Sequence, residues 1–333
     1  MISANNSPTL RAHTLIQQNV ASIKDRLESA RTEAVTGRAA DIGRAVNGDT
    51  AKVNLLNEAI TYSDDRTTVL DFEGGRMATA QAALENMRGI AADTVSSLRL
   101  ASGSSSLNTK VVAEESAKAG LEDAVSRLNT SFGGRPLFGG DSGALPMGQA
   151  SDILDAVRTI VAAAPDAASA LADIETWFND PAGGFETAFY QGGDGEAPTV
   201  ELDKGERIAT SLSADDQSLR DMLRGFAVTA IASEAPDDAA RGAYQDAGGA
   251  ILAGAGEGVL QLQSSLGVRE ERVAGALADH KAQSATLSIA YNGLTGVDQA
   301  AAATEMRLLE TQLEASYLTT SRMANLSLLN YLR

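Results

Sequence analysis

Heptad spacing of apolar residues near both ends constrains this chain most. Near the start, successive apolar residues are alternately four and three positions apart, in the series Ile16, Val20, Ile23, Leu27, Ala30 and Ala34. A similar series near the end comprises Met306, Leu309, Leu313, Tyr317, Thr320 and Met323. Such spacing places the residues on one stripe of a helix that pairs with another helix by knobs-into-holes contacts. The sequence therefore predicts two terminal coiled-coil helices, and antiparallel pairing is their simplest closure.

The helical pattern continues inward from both ends. Leu70, Met77, Leu84, Ala91 and Leu98 recur every seven residues, and Ser102 to Ser106 breaks this segment. The next predicted helix ends at Gly133-Gly134 and presents Leu107, Val111, Leu121, Val125, Leu128 and Phe132 on one face, with Glu114 and Lys118 as polar interruptions. In the second half, the stripe comprises Val273, Leu277, His280, Ser284, Leu287, Tyr291 and Leu294.

Between these halves, residues 135–211 have a different amino-acid composition. They hold five of the seven prolines, paired glycines, and short β-like runs such as FETAFYQG and TVELDKGERIATSL. The second run predicts a hairpin around Lys204-Gly205. A helix is predicted near 151–178, with Ile153, Val157, Ile160, Leu171, Ile174 and Trp177 as its core. This region is predicted to be a small inserted α+β domain.

The predicted fold is thus mainly α, an elongated rod with that insert in its middle. A terminal coiled-coil domain comprises residues 1–42 and 294–333, a helical bundle comprises 43–132 and 212–293, and the insert comprises 133–211. A low aromatic content of 4% agrees with long helices better than with sandwiches or barrels.

Charge separates the ends from the middle. Residues 1–50 hold six basic and five acidic residues, residues 281–333 hold four of each, and the remainder holds 17 basic against 35 acidic. Neutral ends can approach other protein surfaces closely, whereas the acidic middle repels polyanions, so we expect no nucleic-acid partner. The absence of cysteine excludes disulfides and thiolate metal sites. No apolar run is long enough for a membrane span, and we expect no membrane partner and no signal peptide.

Candidate catalytic motifs are weak. The glycines of GAGEG (254–258) lack the strand and the ribose-binding acid of a dinucleotide loop, and GGDGE (192–196) lacks the late glutamate of a calcium loop. The first favours a close helix crossing and the second a turn. His13 and His280 are far apart, and His280 lies at a seam position, where a polar residue tunes register. The pairs Asp64-Asp65, Asp215-Asp216 and Asp237-Asp238 are predicted to start helices. We expect no catalytic residue, metal or cofactor.

The final 21 residues, LEASYLTTSRMANLSLLNYLR, are apolar on every side of the helix that they would form. Ordering each residue costs roughly 1–2 kcal/mol, and burying each of its leucines returns only roughly 1.5–3 kcal/mol. Such a helix needs burial on several sides, as in a bundle of many subunits. The predicted assembly interface comprises Ile16, Val20, Ile23, Leu27, Leu309, Leu313, Tyr317, Leu326, Leu328, Leu329 and Leu332.

Several separate motifs resemble the flagellin superfamily. They are this C-terminal ending and the N-terminal helix followed by TGRAADI. The segments RPLFGGDSGALP and FYQGGDGE resemble the hook–filament junction members of the superfamily in particular. The motifs stand in the family's order and span most of the chain.

The resemblance implies a structural role, not an enzyme. It implies export through the flagellar type III channel, terminal regions that are disordered before assembly, and a secreted, extracellular location at the hook–filament junction. The implied partners are other copies of the chain in a ring, the first hook-associated protein, flagellin and a cytoplasmic export chaperone. Two alternatives stay open: the bulk filament subunit, flagellin itself, and an enzyme housed in the insert.

Overall fold

The computed structural model describes residues 8–103, 106–193, 195 and 197–331, with side chains described from residue 14 to residue 322. Over this part the chain is mainly helical, which confirms the predicted fold class. The α-helices are α1 (Pro8–Thr36), α2 (Ile42–Ala45), α3 (Ala51–Ser102), α4 (Leu107–Leu128), α5 (Ala150–Ala163), α6 (Ala167–Asn179), α7 (Gln217–Ile231), α8 (Asp238–Thr295) and α9 (Gln299–Tyr331). None of the described helices combines the length and apolarity needed to span a membrane.

The strands of the described residues form two antiparallel pairs. Strands β1 (Ser131–Phe132) and β2 (Arg135–Pro136) flank Gly133-Gly134, and strands β3 (Thr199–Asp203) and β4 (Glu206–Ala209) flank Lys204-Gly205. Gly205 has a φ of +82°, which a tight hairpin turn requires and which glycine adopts without strain. The predicted hairpin around Lys204-Gly205 is therefore confirmed.

The chain divides into two compact units. Unit 1 comprises residues 1–65 and 280–333, and unit 2 comprises residues 66–279, so the division falls within α3 and α8. The three-part domain organisation predicted from the sequence stays a prediction.

Unit 2 holds a large continuous core. The predicted α3 stripe is buried along its length, from Leu70 to Leu98, with no member more than 6% exposed. Side chains from α4, α5, α6, α7 and α8 join it, among them Leu121, Ile153, Ile174, Phe226 and Val259. Each helix therefore buries its apolar face against several others.

The predicted face of α4 is wrong over its first half. Leu107 and Val111 are exposed, whereas Glu114 is only 2% exposed. Two hydrogen bonds from Arg241, Nε to Oε1 at 2.6 Å and Nη2 to Oε2 at 2.5 Å, and one from Gln245 at 2.8 Å satisfy the Glu114 carboxylate. Hydrogen bonding to Glu114 is the main cause that raises the pKa of Arg241 above its ordinary value. A paired carboxylate can occupy a core position, so the polar interruption of the stripe is itself a packing contact.

The single helix predicted near 151–178 is two helices. Pro165 lacks an N–H and favours an extended residue before it, and Ala164 has a ψ of 143°. Asp166 then caps α6 by accepting a hydrogen bond from the Ser169 N–H at 2.8 Å, which lowers the pKa of the Asp166 carboxyl.

The composition of the run FETAFYQG suggested a strand, and that prediction is wrong. Phe185–Phe189 form one turn of π-helix, with both phenyl rings buried and their centroids 5.6 Å apart. A strand would separate residues four apart by roughly 13 Å, so the helical turn is what lets the two rings touch.

Small residues bring α7 and α8 close together in unit 2. A Cβ on Gly225 of α7 would lie 2.8 Å from the side chain of Leu252, and one on Gly258 of α8 would lie 2.5 Å from the hydroxyl of Ser218. Gly258 closes the GAGEG segment, which is helical throughout. Of the three glycines of this segment, Gly258 lies at a close helix contact, whereas Gly254 and Gly256 have open space around them.

Candidate assembly surface on the terminal helices

Helices α1 and α9 of unit 1 pack against each other. Leu27, Ala30 and Leu309 form a buried cluster, and Ile23, Met306 and Leu313 pack around it. Gln299, at the start of α9, touches Gly37, just beyond the end of α1, whereas Tyr317 lies near Lys24. The chain therefore runs in opposite directions along the two helices, as the sequence predicts.

Local sequence signals mark the end of helix α1 and the start of helix α9. Thr36 is its last residue and Gly37 has a φ of +67°, the left-handed conformation that commonly follows a helix. Helix α9 begins after Asp298, whose carboxylate accepts hydrogen bonds from the backbone N–H groups of Ala300 and Ala301 at 2.8 and 3.2 Å. These two local signals set where the helix pair starts.

Ion pairs flank the apolar seam on both sides. Arg26 bonds to Glu305 at 2.9 Å and Arg31 bonds to Glu310 at 3.1 Å. All four side chains are about half exposed, and such pairs contribute about 0.2–1 kcal/mol each. They balance the charge of the helix pair and add little to its stability.

Most of the predicted interface residues on α1 and α9 lie along this seam. Leu27 and Leu309 are buried, while Ile16, Val20, Ile23 and Leu313 are half-buried, and Tyr317 is 49% exposed. The side chains of Leu326, Leu328 and Leu329 and the whole of Leu332 lie outside the described residues. The role of these eleven residues in assembly stays a prediction.

Sequence reasoning missed a second set of apolar residues, which point away from the seam. Leu15, Val35, Leu308 and Leu318 are between 56% and 80% exposed. They do not fit the heptad series, and the signal that could have found them is an apolar residue on the polar side of a strongly periodic helix. Together with Tyr317 they give the outer surface of the helix pair an apolar character.

An open groove lies along one side of the pair. It has a volume of about 490 Å³, and its lining is mostly apolar, from Leu27, Leu313, Tyr317 and Leu318. Arg31, Glu310, Glu314 and Ser321 complete its lining. A groove of this kind can accept the apolar face of another helix.

The other sequence candidates that the structure describes do not assemble into a chemical site. His280 is buried in unit 1 with its ring edge-on to Tyr62, the centroids 5.9 Å apart. Asp216 and Asp237 cap α7 and α8, as predicted, but Asp64 and Asp65 lie inside α3, so that helix start was wrong. Among the residues that the structure describes, no group of three or more His, Asp or Glu side chains is placed to hold a metal ion.

Comparison with known protein families gives a match over the last part of the chain. Residues 250–332 match the bacterial flagellin C-terminal helical region, which here comprises most of α8 and all of α9. No protein with a curated description gives a match.

Two solved structures are similar at low identity. One is a candidate flagellar hook-associated protein from Vibrio parahaemolyticus, with 13% identity and a TM-score of 0.40 over 74% of this chain and 93% of that chain. The other is FlgL from Bacillus cereus, with 15% identity and a TM-score of 0.38 over 77% of this chain and 100% of that chain. Likenesses at this level do not identify the chain.

Proposed function

We propose that this chain, which carries the C-terminal helical region of the bacterial flagellins, is a structural subunit that joins the flagellar hook to the filament. It is a flagellin-like protein. In the proposed role, copies form a ring at the junction and contact the first hook-associated protein on one side and flagellin on the other. An export chaperone would hold the C-terminal segment before secretion.

The observation that carries this proposal is the unequal burial of the terminal helix pair. Among residues 14–36 of α1 and 299–322 of α9, whose side chains the structure describes, the buried cluster comprises Leu27, Ala30 and Leu309. The outward leucines and the open groove leave apolar surface that a second helix can cover. Burial releases about 25 cal/mol per Å² of apolar surface, so contacts with neighbouring subunits would stabilise the pair.

The junction role, rather than the filament role, is favoured by sequence. The RPLFGGDSGALP and FYQGGDGE segments, at the edges of the inserted region, resemble junction members of the superfamily. Flagellin itself is the second candidate, favoured by the matched C-terminal region alone. An enzyme in the insert has no support from a clustered set of reactive side chains among the described residues.

The test alters the seam while leaving unit 2 intact. Leu313→Asp places a charge beside Leu27 and Leu309, and deletion of residues 320–333 removes the end of α9. In cells whose own copy of the gene is deleted, we expect either variant to leave hooks without filaments, counted by electron microscopy. Gln312→Asp, at the exposed neighbouring position, is the control and should restore filaments.

Either variant restoring filaments to normal numbers would overturn the proposed role of the seam. Purified wild-type chain also separates the two candidate roles, because flagellin grows long filaments alone under precipitating salt. We expect short oligomers or none under those conditions, and long filaments would instead support the flagellin alternative.

A further inference from the structure

The structure contains a backbone clasp at the base of the terminal helix pair, comprising residues 37–39 and 295–297 of unit 1. The Ala39 N–H donates to the Thr295 carbonyl at 2.7 Å, and the Val297 N–H donates to the Gly37 carbonyl at 3.0 Å. Arg38 and Gly296 form an isolated antiparallel bridge between these two bonds. The clasp joins the loop after α1 to the loop before α9.

Side chains support the clasp on both sides. The Arg38 guanidinium lies over the Tyr291 ring, 5.3 Å from its centroid, and the Gln299 side-chain amide donates to the Val35 carbonyl at 3.4 Å. Thr295 is fully buried. The residues that support the clasp therefore lie within α1, α8 or α9, or directly beside α1.

Two glycines make the close approach possible. Gly37 is in the left-handed region, and a Cβ on Gly296 would lie 2.5 Å from the Asn292 carbonyl oxygen. A side chain at Gly296 would therefore collide with backbone, which cannot move aside as a flexible side chain can. The clasp geometry depends on the small size of this residue.

The helix pair needs a contact that fixes its register, because the heptad pattern of apolar residues along its seam repeats. A strict heptad pattern offers similar packing when one helix slides by seven residues, and coiled coils commonly select one register with a buried polar residue. The α1 stripe from Ile16 to Ala34 contains none. The exposed ion pairs at Arg26 and Arg31 add little discrimination, because solvent screens them.

We propose that the clasp selects the register of α1 against α9, and thereby decides which apolar side chains the pair presents to other subunits. In the selected register Leu27 faces Leu309, while Leu308 and Leu318 point outward. This inference rests on the proposed function only for its consequence in assembly, since the register is a property of the single chain.

Engineered cysteine pairs can read the register, because the chain has no native cysteine. The native pair is Leu27→Cys with Leu309→Cys. Two pairs report a slide of one heptad in either direction: Ile23→Cys with Met306→Cys, and Ala30→Cys with Leu313→Cys. Disulfides form only between closely spaced residues, so each pair reports one register.

In the purified full-length chain under mild oxidation, we expect the native pair to close at least about tenfold faster than either shifted pair, because a fixed register raises its effective concentration. Gly296→Ala should bring the three rates within about threefold of one another, on the same effective-concentration grounds. Val297→Pro, which removes the N–H donor to Gly37, should do the same without adding a Cβ at position 296.

The matched control is Gly293→Ala, at a helical position with open space around it, which should leave the preference intact. Circular dichroism, which reports the helix content of both units, verifies that each variant is folded. An unchanged native preference in both clasp variants would overturn the proposal, as would equal rates in the chain with an intact clasp. Because cross-linking is measured without assembly, its result is separate from the filament counts that test the proposed function.

Discussion

The α1 stripe of unit 1 and the α3 stripe of unit 2 have similar sequence patterns and different burial. On α3, all of the residues seven apart from Leu70 to Leu98 are buried. On α1, Leu27 and Ala30 are buried, while Ile16, Val20 and Ile23 are half-buried. A heptad pattern thus identifies the face of a helix that seeks burial without telling how much burial the chain itself provides.

The difference follows from the number of neighbours. The α3 stripe faces a core built by side chains of α4, α5, α6, α7 and α8, whereas the buried apolar residues in the described part of α1 cluster with α9. One helix covers only one stripe of another, so residues beside the seam keep much of their exposure. Unit 2 is therefore expected to fold without partners, and contacts with partners are expected to add to the stability of the terminal pair.

The largest expected effect is in the unit 2 core. Phe226 is fully buried, and Phe226→Ala should lower the free energy of unfolding of unit 2 by about 3–5 kcal/mol, through lost burial and a new cavity. Urea unfolding followed by the fluorescence of Trp177, the one tryptophan of the chain, measures this.

Phe72→Ala is the matched control, because Phe72 is 46% exposed and lies in the same unit. It should cost less than half as much. If both variants lowered the free energy of unfolding equally, the exposure of a side chain in unit 2 would not predict its contribution to stability.

A smaller and more local effect is expected on the terminal pair. Leu309 is fully buried between α1 and α9, and Leu309→Ala should weaken local unfolding protection there by about 2–3 kcal/mol. Amide hydrogen exchange should quicken in α1 and α9, while the Trp177 unfolding transition stays at the same urea concentration.

The adjacent residue provides the control for this variant. Leu308 is 56% exposed, so Leu308→Ala should leave exchange of the unassembled chain unchanged. A shift of the Trp177 transition by Leu309→Ala would contradict the separation of the two units in stability.

The smallest expected effect concerns Glu270 of unit 2. Burial raises the pKa of this carboxyl above its ordinary value, so the folded state binds its proton more tightly than the unfolded state does. Glu270 therefore favours folding less as the pH rises through the raised pKa. Glu270→Gln should be more stable than wild type at neutral pH, by less than about 1 kcal/mol.

That difference should vanish at low pH, where Glu270 is protonated in both states. Urea unfolding at a series of pH values measures it, with Glu271→Gln, at the exposed neighbouring position, as the control. A gain that stays constant with pH would exclude titration of Glu270 as its cause.

The sequence by itself determined the long helices, the apolar stripes of α1 and α3, and the hairpin at Gly205. These features depend on periodicity and on the conformations that single residues permit, and both are properties of neighbouring positions along the chain. The resemblance of the C-terminal ending to the flagellins, which rests on local sequence, is confirmed by the match over residues 250–332.

Only the tertiary structure decided which polar residues within an apolar stripe are buried in a contact, and which residues at the end of a stripe stay exposed. Glu114 is buried because Arg241 and Gln245, more than a hundred residues away, satisfy its carboxylate. Leu107 of the same predicted stripe stays exposed, and the clasp between Gly37 and Val297 joins segments from opposite ends of the chain. Partners this distant in sequence leave no local periodicity, so the pattern that predicts a helix cannot predict what satisfies or covers its side chains.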